Sequence, residues 1–362
     1  MSSGGSAPPN SSIAIAGGGI IGLSIAWRLA QSGRHVAVFD QSSIGGEASW
    51  AGAGMLAPGG EFDAPSRLTE LALQSRQEYR AFVRELEAES GVSVDFQECG
   101  ALDVAFSPAD LDALNERARR QDALGILSKP LEPAQIQAFW PRIRKESLTG
   151  ARFYRDDAIA NPREVVNALK IACGKRGVRI EEHCAVRHLS MEEKGVTIET
   201  EQGRAQYAAA VIAAGAWSSR LEVNGVPPLP GAEPVKGQLI GYRQPEQTCT
   251  TIVRYHEYYF LQRANGLMIA GASVEHVGFN REVKGAITGQ LAREAALVFP
   301  HLAETTPSEA WIGLRPGGPL QIGRWHSPRL YLAYGHYRNG ILLAPVTARE
   351  ITGAVNANWQ KR

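Results

Sequence analysis

A chain of 362 residues is long for a single hydrophobic core and indicates two domains. Its 38 basic and 37 acidic side chains leave a net charge of +1, which argues against nucleic acid or an acidic membrane surface as a partner. The four cysteines are scattered and form no Cys-x-x-Cys pair, so we expect reduced thiols of a cytoplasmic protein, with neither a disulfide framework nor a bound metal.

The first twelve residues, MSSGGSAPPNSS, are small and polar. They contain no basic start and no apolar run, so the sequence predicts a disordered leader over 1–12 and no secretory signal. No apolar stretch approaches the ~20 residues that a membrane-spanning helix needs. We therefore expect no membrane partner.

The first structured segment predicts a strand, a glycine turn, a helix and a second strand. Ile13–Ala16 is an apolar strand, Ile20–Gln31 has helical apolar spacing, and Gly33 ends the helix. Residues 35–40 form a second apolar strand that ends in an acid. This order is a βαβ unit, which predicts a parallel sheet.

The glycine turn of this unit, GGGIIG, fits the pattern G-x-G-x-x-G. Gly17 permits the tight turn, Gly19 lets the backbone approach a diphosphate, and Gly22 lets the helix pack on the strand. The helix N-terminus supplies N–H groups to phosphates, and Asp40 can accept hydrogen bonds from ribose hydroxyls. The pattern predicts a dinucleotide and leaves FAD and NAD both open.

The remaining elements alternate between helices and strands. Helices are predicted over 66–90, near 108–124 and 133–139, over 161–176 with Asn161 as its cap, and over 285–299. Strands are predicted around 94–106, in a meander over 178–213, and through most of 234–279. Strand, glycine loop and helix recur at 331–345.

Two late segments favour flavin over NAD. The stretch AAVIAAGAWSSRL, at 209–221, is a buried strand followed by Ala-Gly, where the backbone passes close to another group. The stretch YLAYGHYRNGILLAP, at 331–345, places a second glycine loop before a helix N-terminus. Such an N-terminus can stabilise the negative charge of a reduced flavin.

The chain resembles the FAD-dependent D-amino-acid-oxidase superfamily, and within it the glycine oxidases of the thiamine pathway. The motifs that carry the resemblance run in the family's order from residue 13 almost to the end. They are IAGGGIIGLSIAWRLA, GGEASWAGAGMLAP, VIAAGAWSSRL, EPVKGQ, WIGLRPG and GHYRNGILLAP.

The resemblance implies an α/β fold with two domains. A Rossmann-like FAD-binding domain with a parallel sheet would comprise residues 13–90, 150–225 and 308–362. An inserted substrate domain, mostly antiparallel sheet with helices, would comprise 91–149 and 226–307.

The resemblance also implies non-covalent FAD, since no cysteine lies in a motif for covalent attachment. Trp50 would either pack beside the flavin or fill the core. The positions expected to contact FAD are Gly17, Gly19, Ile20, Ile21, Gly22, Asp40, Gln41, Ala48, Ser49, Ala53, Gly54, Met55, Leu56, Val186, Ala214, Gly215, Trp217, Gly335, His336, Arg338, Asn339, Gly340, Ile341 and Leu342.

Three residues are implied to take part in catalysis, two on the substrate and one at the flavin. Arg315, in GLRP, would hold the substrate carboxylate, since a guanidinium gives a planar, two-pronged match that stays charged in a dry pocket. Tyr259 would reach the same carboxylate, although Tyr258 and His256 are close enough to be confused with it. Strand alternation puts Tyr259 and Glu257 on one face and Tyr258 and His256 on the other. Arg338 would neutralise the reduced flavin or fix its loop.

The implied reaction is oxidative deamination of glycine or another small amine or D-amino acid, with O₂ reduced to H₂O₂. The imine product would hydrolyse or pass to a thiazole synthase, and we expect a homo-oligomer. The family's loop after GLRP is about three residues longer than GLRPGGPLQIG, which leaves the preferred substrate size open.

Three alternatives stay open at this point. One is a broader D-amino-acid oxidase, or a dehydrogenase that passes electrons to a quinone. Another is the FAD-dependent part of a tRNA-modifying protein, which would need a basic face. The third is a dinucleotide-binding module without catalytic activity, which would leave the arginines of GLRP and HYRN unexplained.

Overall fold

The structure, a computed structural model, describes residues 12–244 and 249–359. The predicted leader, apart from Ser12, lies outside the described residues. No helix in the described part of the chain is both long and apolar enough to cross a bilayer.

The longer helices follow the predicted order, and two short helices, within 48–51 and 58–61, were not predicted. The helices are α1 (Ile20–Gln31), α2 (Ala48–Ala51), α3 (Pro58–Glu61), α4 (Arg67–Ser90), α5 (Pro108–Asp122), α6 (Pro133–Phe139), α7 (Pro162–Lys175), α8 (Gly285–Val298) and α9 (Gly340–Trp359). Short 3₁₀ turns cover Gly215–Arg220 and Pro300–Leu302.

The strands within residues 12–244 and 249–359 make up four sheets. They are β1 (Ile13–Ala16), β2 (Val36–Phe39), β3 (Met55–Leu56), β4 (Phe96–Gln97), β5 (Ala101–Ala105), β6 (Lys129–Leu131), β7 (Gly150–Tyr154), β8 (Ala158–Ala160), β9 (Arg179–Glu181), β10 (Val186–Met191), β11 (Val196–Thr200), β12 (Gly203–Tyr207), β13 (Ala209–Ile212), β14 (Glu222–Asn224), β15 (Glu233–Arg243), β16 (Ile252–Tyr255), β17 (Tyr258–Gln262), β18 (Leu267–Gly271), β19 (Glu309–Gly317), β20 (Gln321–Arg324) and β21 (Leu330–Tyr334).

The predicted βαβ unit lies at the centre of a six-stranded sheet in the order β20-β21-β13-β1-β2-β9. All pairs in it are parallel except β20 with β21. Alternate residues of β1 face opposite ways: Ile13 and Ile15 join the core formed with α1, α4, α7 and α9, while Ala14 faces the four-stranded sheet β12-β11-β10-β14. Both faces are covered, which explains why the central strands are apolar throughout.

A mixed sheet of eight strands forms the second large layer, in the order β19-β15-β18-β17-β16-β5-β7-β6. Helix α8 packs on one face through Leu291, Ala295 and Val298. The opposite face contributes Leu239, Leu261 and Trp311 to the core shared with the six-stranded sheet. The two large sheets therefore share one of the hydrophobic cores. The predicted α/β class with parallel and mostly antiparallel parts is confirmed.

Two strands pair in a different sheet from the one that the predicted domain boundaries imply. The segments 150–225 and 308–362 are predicted to belong to the FAD-binding domain. The first strand of each, β7 and β19, instead pairs with β5 and β15 in the eight-stranded sheet. Alternating apolar residues predict a strand but do not identify its partner, so the sequence pattern could not place these two strands.

Candidate active site

A large cleft lies where the two major sheets meet. It encloses about 1830 Å³ of space, part of it open to solvent. The carboxyl ends of β1, β2, β13 and β21 form one side, and residues of β15, β17 and β19 form the other. Ligands of parallel α/β sheets bind at this end of the strands, so the cleft lies where a dinucleotide is expected.

The glycine turn at the end of β1 tolerates no side chain at two of its positions. Gly17 has φ +110°, and a Cβ there would lie 2.3 Å from the carbonyl oxygen of Ala213. A Cβ on Gly22 would lie 1.9 Å from the carbonyl oxygen of Gly17. The predicted reason for glycine therefore holds at both positions, because the backbone passes too close for any larger residue.

The N-terminus of α1 opens into the cleft without a side-chain cap. Its N-cap is Gly19, and its first turn carries no acidic residue. The Ile20 N–H donates to Ser49 Oγ at 2.9 Å, which ties the turn to α2. The next N–H groups have no acceptor within the helix, because the first four N–H groups of any α-helix lack one. This end of the helix fits a diphosphate.

Asp40 fixes the glycine turn from the end of β2. Its Oδ2 accepts a hydrogen bond from the Gly18 N–H at 2.7 Å, and its Oδ1 accepts from the N–H of Ser42 at 2.8 Å. The Ser42 hydroxyl also donates to Oδ1, at 3.0 Å. A carboxylate has about four acceptor positions, so Asp40, which lines the cleft, keeps capacity for one ribose hydroxyl. The carboxylate thus has a structural role that the sequence did not predict.

Most of the predicted cofactor positions line the cleft. These are Gly17, Gly19, Ile20, Ile21, Asp40, Gln41, Ala48, Ser49, Ala53, Gly54, Met55, Val186, Ala214, Gly215, Trp217, His336, Arg338, Gly340 and Ile341. Small residues predominate, and the turn and helix N-terminus would hold a diphosphate, so the residues present fit FAD.

Five predicted positions lie behind the cleft wall, where they shape it. Leu56 and Leu342 are buried in the core, and Asn339 is buried in the turn before α9. Gly22 packs against Gly17. Gly335 has φ +81°, and a Cβ there would lie 2.3 Å from the carbonyl oxygen of Pro319.

Trp50 matches neither environment considered from the sequence. It is 42% exposed, and it is absent from the cleft wall, although its neighbours line it. Its ring packs edge-on against Trp311 and under the guanidinium of Arg163, which lies 3.8 Å from the ring centroid. Trp50 therefore lies on the outer side of α2, away from the cleft, between Trp311 and Arg163.

Arg315 projects from β19 into the cleft. Its Nη1 donates to the carbonyl oxygen of Ser273 at 3.0 Å. A Cβ on Gly237 would lie 2.2 Å from its Nη2, so the guanidinium rests against bare backbone of β15. Within residues 12–244 and 249–359 no ion pair of Arg315 with a carboxylate is found. A charged group so placed is available to an anion from outside.

Tyr259 faces the cleft from β17, together with Glu257, as strand alternation predicts. Burial raises the pKa of Tyr259 above its ordinary value, although the charges of Arg315 and Arg338 act in the opposite direction. The phenol therefore stays protonated and can donate a hydrogen bond. Tyr258 points to the other side, where its hydroxyl accepts from Gln290 Nε2 at 2.7 Å.

Arg338 lies at the cleft in an ion pair that the sequence did not predict. Its Nε is 3.6 Å from Glu61 Oε2, and its guanidinium lies 5.0 Å from the ring centroid of Tyr337. Glu61 ends α3, which is anchored where the Gly59 N–H donates to the buried Asp157 at 3.1 Å. Glu61 lies shortly after the motif GGEASWAGAGMLAP, and this proximity is the sequence signal that could have identified it.

His336 also lines the cleft but is unsuited to act as a base. It is 3% exposed, and desolvation lowers its pKa to about 3. Its Nε2 lies 3.0 Å from Thr347 Oγ1. The imidazole is therefore neutral at ordinary pH and engaged in a buried contact.

The described residues contain no group of three or more His, Cys, Asp or Glu side chains that could hold a metal. The four cysteines are free thiols, and none lines the cleft. The polar side chains that line the cleft include those of Arg315, Arg338, Tyr259, Tyr334, Tyr337, Asp40, Glu47 and Glu257.

Comparison with known proteins agrees with this geometry. The model of the DAO family, described as FAD dependent oxidoreductase, matches residues 12–354. A glycine oxidase from Bacillus licheniformis is 31% identical over 351 residues, which cover 95% of this chain and 92% of that protein. The crystal structure of glycine oxidase from Geobacillus kaustophilus has a TM-score of 0.89 and 29% identity, over 95% of this chain and 94% of that one.

A longer relative carries a second part. The bifunctional protein ThiO/ThiG from Synechocystis sp. is 33% identical over 357 residues. The match covers 95% of this chain but 51% of that protein. This chain therefore corresponds to about half of that bifunctional protein.

Proposed function

Because the chain belongs to the DAO family of FAD-dependent oxidoreductases, we propose that it oxidises glycine or a similarly small amine or D-amino acid. Family membership confirms the resemblance and the FAD cofactor predicted from the sequence. The observation that carries the proposal is the meeting of Arg315, Tyr259 and Arg338 in the cleft that contains the glycine turn of Gly17 and Gly19.

Arg315 and Tyr259 bind the substrate carboxylate in this proposal. The guanidinium has no carboxylate partner among the described residues, and the neutral phenol adds one donor. Two donors of different geometry orient the substrate, and orientation of reactants can lower an activation barrier by about 7–11 kcal/mol. Arg338, held by Glu61, adds positive charge at the edge of the same cavity.

The amine must reach the cleft without its proton. When bound, FAD would supply the acceptor for a hydride from the substrate Cα and would pass the two electrons on to O₂, which with two protons becomes H₂O₂. A free lone pair on the substrate nitrogen would form the C=N bond, and water would hydrolyse the imine to an oxo acid and ammonia. The neutral, buried His336 supports a mechanism in which no imidazole removes a proton.

The proposal extends to a partner and a location. The imine could be consumed by a thiazole synthase before it hydrolyses, and the bifunctional architecture of the Synechocystis relative supports such a pairing. The four free thiols are consistent with a reducing compartment such as the cytoplasm. The expected homo-oligomer stays a prediction.

Initial rates of H₂O₂ release test the proposal across glycine, sarcosine, D-alanine, D-proline and a bulky D-amino acid. We expect release with the small substrates and little with the bulky one. Reduction of an artificial electron acceptor without H₂O₂ would indicate a dehydrogenase. Activity that is greatest with the bulky substrate would indicate a broad D-amino-acid oxidase, and no turnover of any of them would contradict the proposal.

A further inference from the structure

Three side chains from other elements donate hydrogen bonds to backbone carbonyls at the end of the short helix α2. None of the roles predicted from the sequence explains these contacts. Four consecutive backbone carbonyls, those of residues 50–53, accept hydrogen bonds from three side chains on distant elements. Arg163 Nε binds the oxygen of Trp50 at 3.1 Å, and Trp311 Nε1 binds that of Ala51 at 2.9 Å. Arg263 Nη2 binds the oxygens of Gly52 at 2.8 Å and Ala53 at 3.4 Å.

These hydrogen bonds hold the segment that is expected to run along FAD. Residues 51–55 line the cleft continuously, whereas Trp50 does not. Short helices leave their last carbonyls without partners, and cations at a helix C-terminus satisfy them favourably. The three donor side chains lie behind the wall of the cleft. Each carbonyl that accepts a hydrogen bond from them therefore points towards its donor.

Arg263 differs from the other two donors in its burial and charge. It is 2% exposed, its Nε has no hydrogen-bond partner, and desolvation together with the charge of Arg163 lowers its pKa to about 10. Among the ion pairs of the described residues, Arg263 takes part in none. A buried cation without a paired carboxylate is costly, and an apolar residue at this position would remove that cost.

The position of Arg263 connects the two halves of the site. It directly follows β17, which ends at Gln262, and Tyr259 lies four residues earlier on the same strand. Residues separated by an even number share a face of a strand. One strand thus directs Tyr259 towards the substrate end of the cleft and Arg263 towards the backbone of the cofactor segment.

We propose that Arg263 is a positioning residue for FAD, which fixes the backbone of Gly52 and Ala53 in the conformation that the cofactor contacts. The role is independent of which amine the enzyme oxidises. Without Arg263, the two carbonyls would be free to turn, and FAD binding would have to order them again.

The test compares FAD retention by the purified, FAD-loaded proteins. Each holoenzyme is diluted stepwise, free FAD is measured by its fluorescence, and the melting temperature is recorded at saturating FAD. Arg263→Met should weaken FAD binding about tenfold or more, the size expected when hydrogen bonds from a charged donor are lost. Arg263→Lys should lie between the wild type and Arg263→Met, because it keeps the charge but loses the guanidinium fork.

Arg163→Met is the matched control, since Arg163 binds the carbonyl of Trp50, which lies off the cleft. It should retain FAD almost as tightly as the wild type. Equal losses in Arg163→Met and Arg263→Met would overturn the proposal, as would wild-type retention in Arg263→Met. If Arg263→Met does not fold, Arg263→Lys with a wild-type melting temperature decides: weaker FAD retention supports the proposal and wild-type retention overturns it.

Discussion

Arg315 is the residue on which the proposed substrate binding depends most. Arg315→Ala should lower kcat/KM for glycine about 30-fold or more, because loss of a desolvated charge pair costs ~2–5 kcal/mol. Arg315→Lys should recover part of the loss, since a point charge lacks the planar fork. Steady-state H₂O₂ release, with FAD content measured for each variant, checks this.

Arg324→Ala provides the control for Arg315, since Arg324 is an exposed arginine on β20, the next strand along the chain, which belongs to the six-stranded sheet. It should leave kcat/KM unchanged. A near-native kcat/KM in Arg315→Ala with full FAD content would mean that Arg315 has a structural role only.

The pH dependence of kcat/KM should follow the substrate amine. Its pKa is roughly 9–10, near that of alkyl ammonium groups, so kcat/KM should climb about tenfold per pH unit from pH 7 to pH 9. His336 is neutral throughout this range, and the raised pKa of Tyr259 keeps its phenol protonated. Tyr259→Phe should lower the rates but keep the slope. A flat wild-type profile with rate-limiting chemistry would indicate a base supplied by the protein.

The buried His336 should lower the free energy of unfolding at acidic pH. Its folded-state pKa is about 3 against an ordinary value of 6.5, so the unfolded chain binds the proton and the folded chain does not. Falling pH therefore favours unfolding from about 6.5 downwards. Between pH 7 and pH 5 the wild type should lose about 2 kcal/mol more unfolding free energy than His336→Gln. Denaturant unfolding at both pH values measures the difference, and equal losses would contradict a buried neutral imidazole.

At the scale of elements, a substitution in the glycine turn before α1 can weaken FAD binding and leave the fold intact. A Cβ on Gly19 would meet only Ser49 Oγ, at 3.2 Å, whereas one on Gly22 would meet backbone at 1.9 Å. Gly19→Ala should therefore fold but bind FAD about tenfold or more weakly, because the methyl group holds the diphosphate away from the helix N–H groups.

A glycine in α9 provides the comparison. A Cβ at Gly353 would meet nothing within 4 Å, and alanine favours helix by about 1 kcal/mol over glycine. Gly353→Ala should raise the melting temperature and leave FAD binding unchanged. Wild-type FAD affinity in Gly19→Ala would show that the turn does not closely approach the diphosphate.

The elements that the sequence predicted best are those whose signals are local. The helix predicted over 66–90 begins at Arg67 after the N-cap Ser66, and the helix over 161–176 begins at Pro162, with the Asn161 side chain accepting from the Arg163 N–H. The partners of β7 and β19 are non-local and were not predicted. Glu61 and Arg263 escaped prediction for the same reason, since each acts on a group distant in sequence.

At the scale of the whole molecule, the cofactor should be dissociable. None of the four cysteines lines the cleft, and the imidazole of His336 is buried against Thr347. Acid precipitation should therefore leave the protein colourless and release intact FAD into solution. Flavin that stays with the precipitate would indicate a covalent bond.

The arrangement of the two large sheets brings the expected FAD positions and the proposed substrate-binding residues to one cleft. The parallel sheet supplies the glycine turn and Asp40, while the eight-stranded sheet supplies Arg315 and Tyr259. The sequence motifs predicted both sets of residues, but only the packing of the sheets brings them to one cavity. Substrate size was left open by the sequence, and it depends on the same packing.

The most direct test of the account is anaerobic mixing of the FAD-loaded protein with glycine, followed by the yellow flavin absorbance. We predict that the absorbance of the wild type bleaches at a rate that saturates with glycine concentration. Arg315→Ala, with the same FAD content, should bleach far more slowly. Failure of glycine, sarcosine and D-alanine to bleach the wild type, or equal bleaching rates in both proteins, would contradict the account.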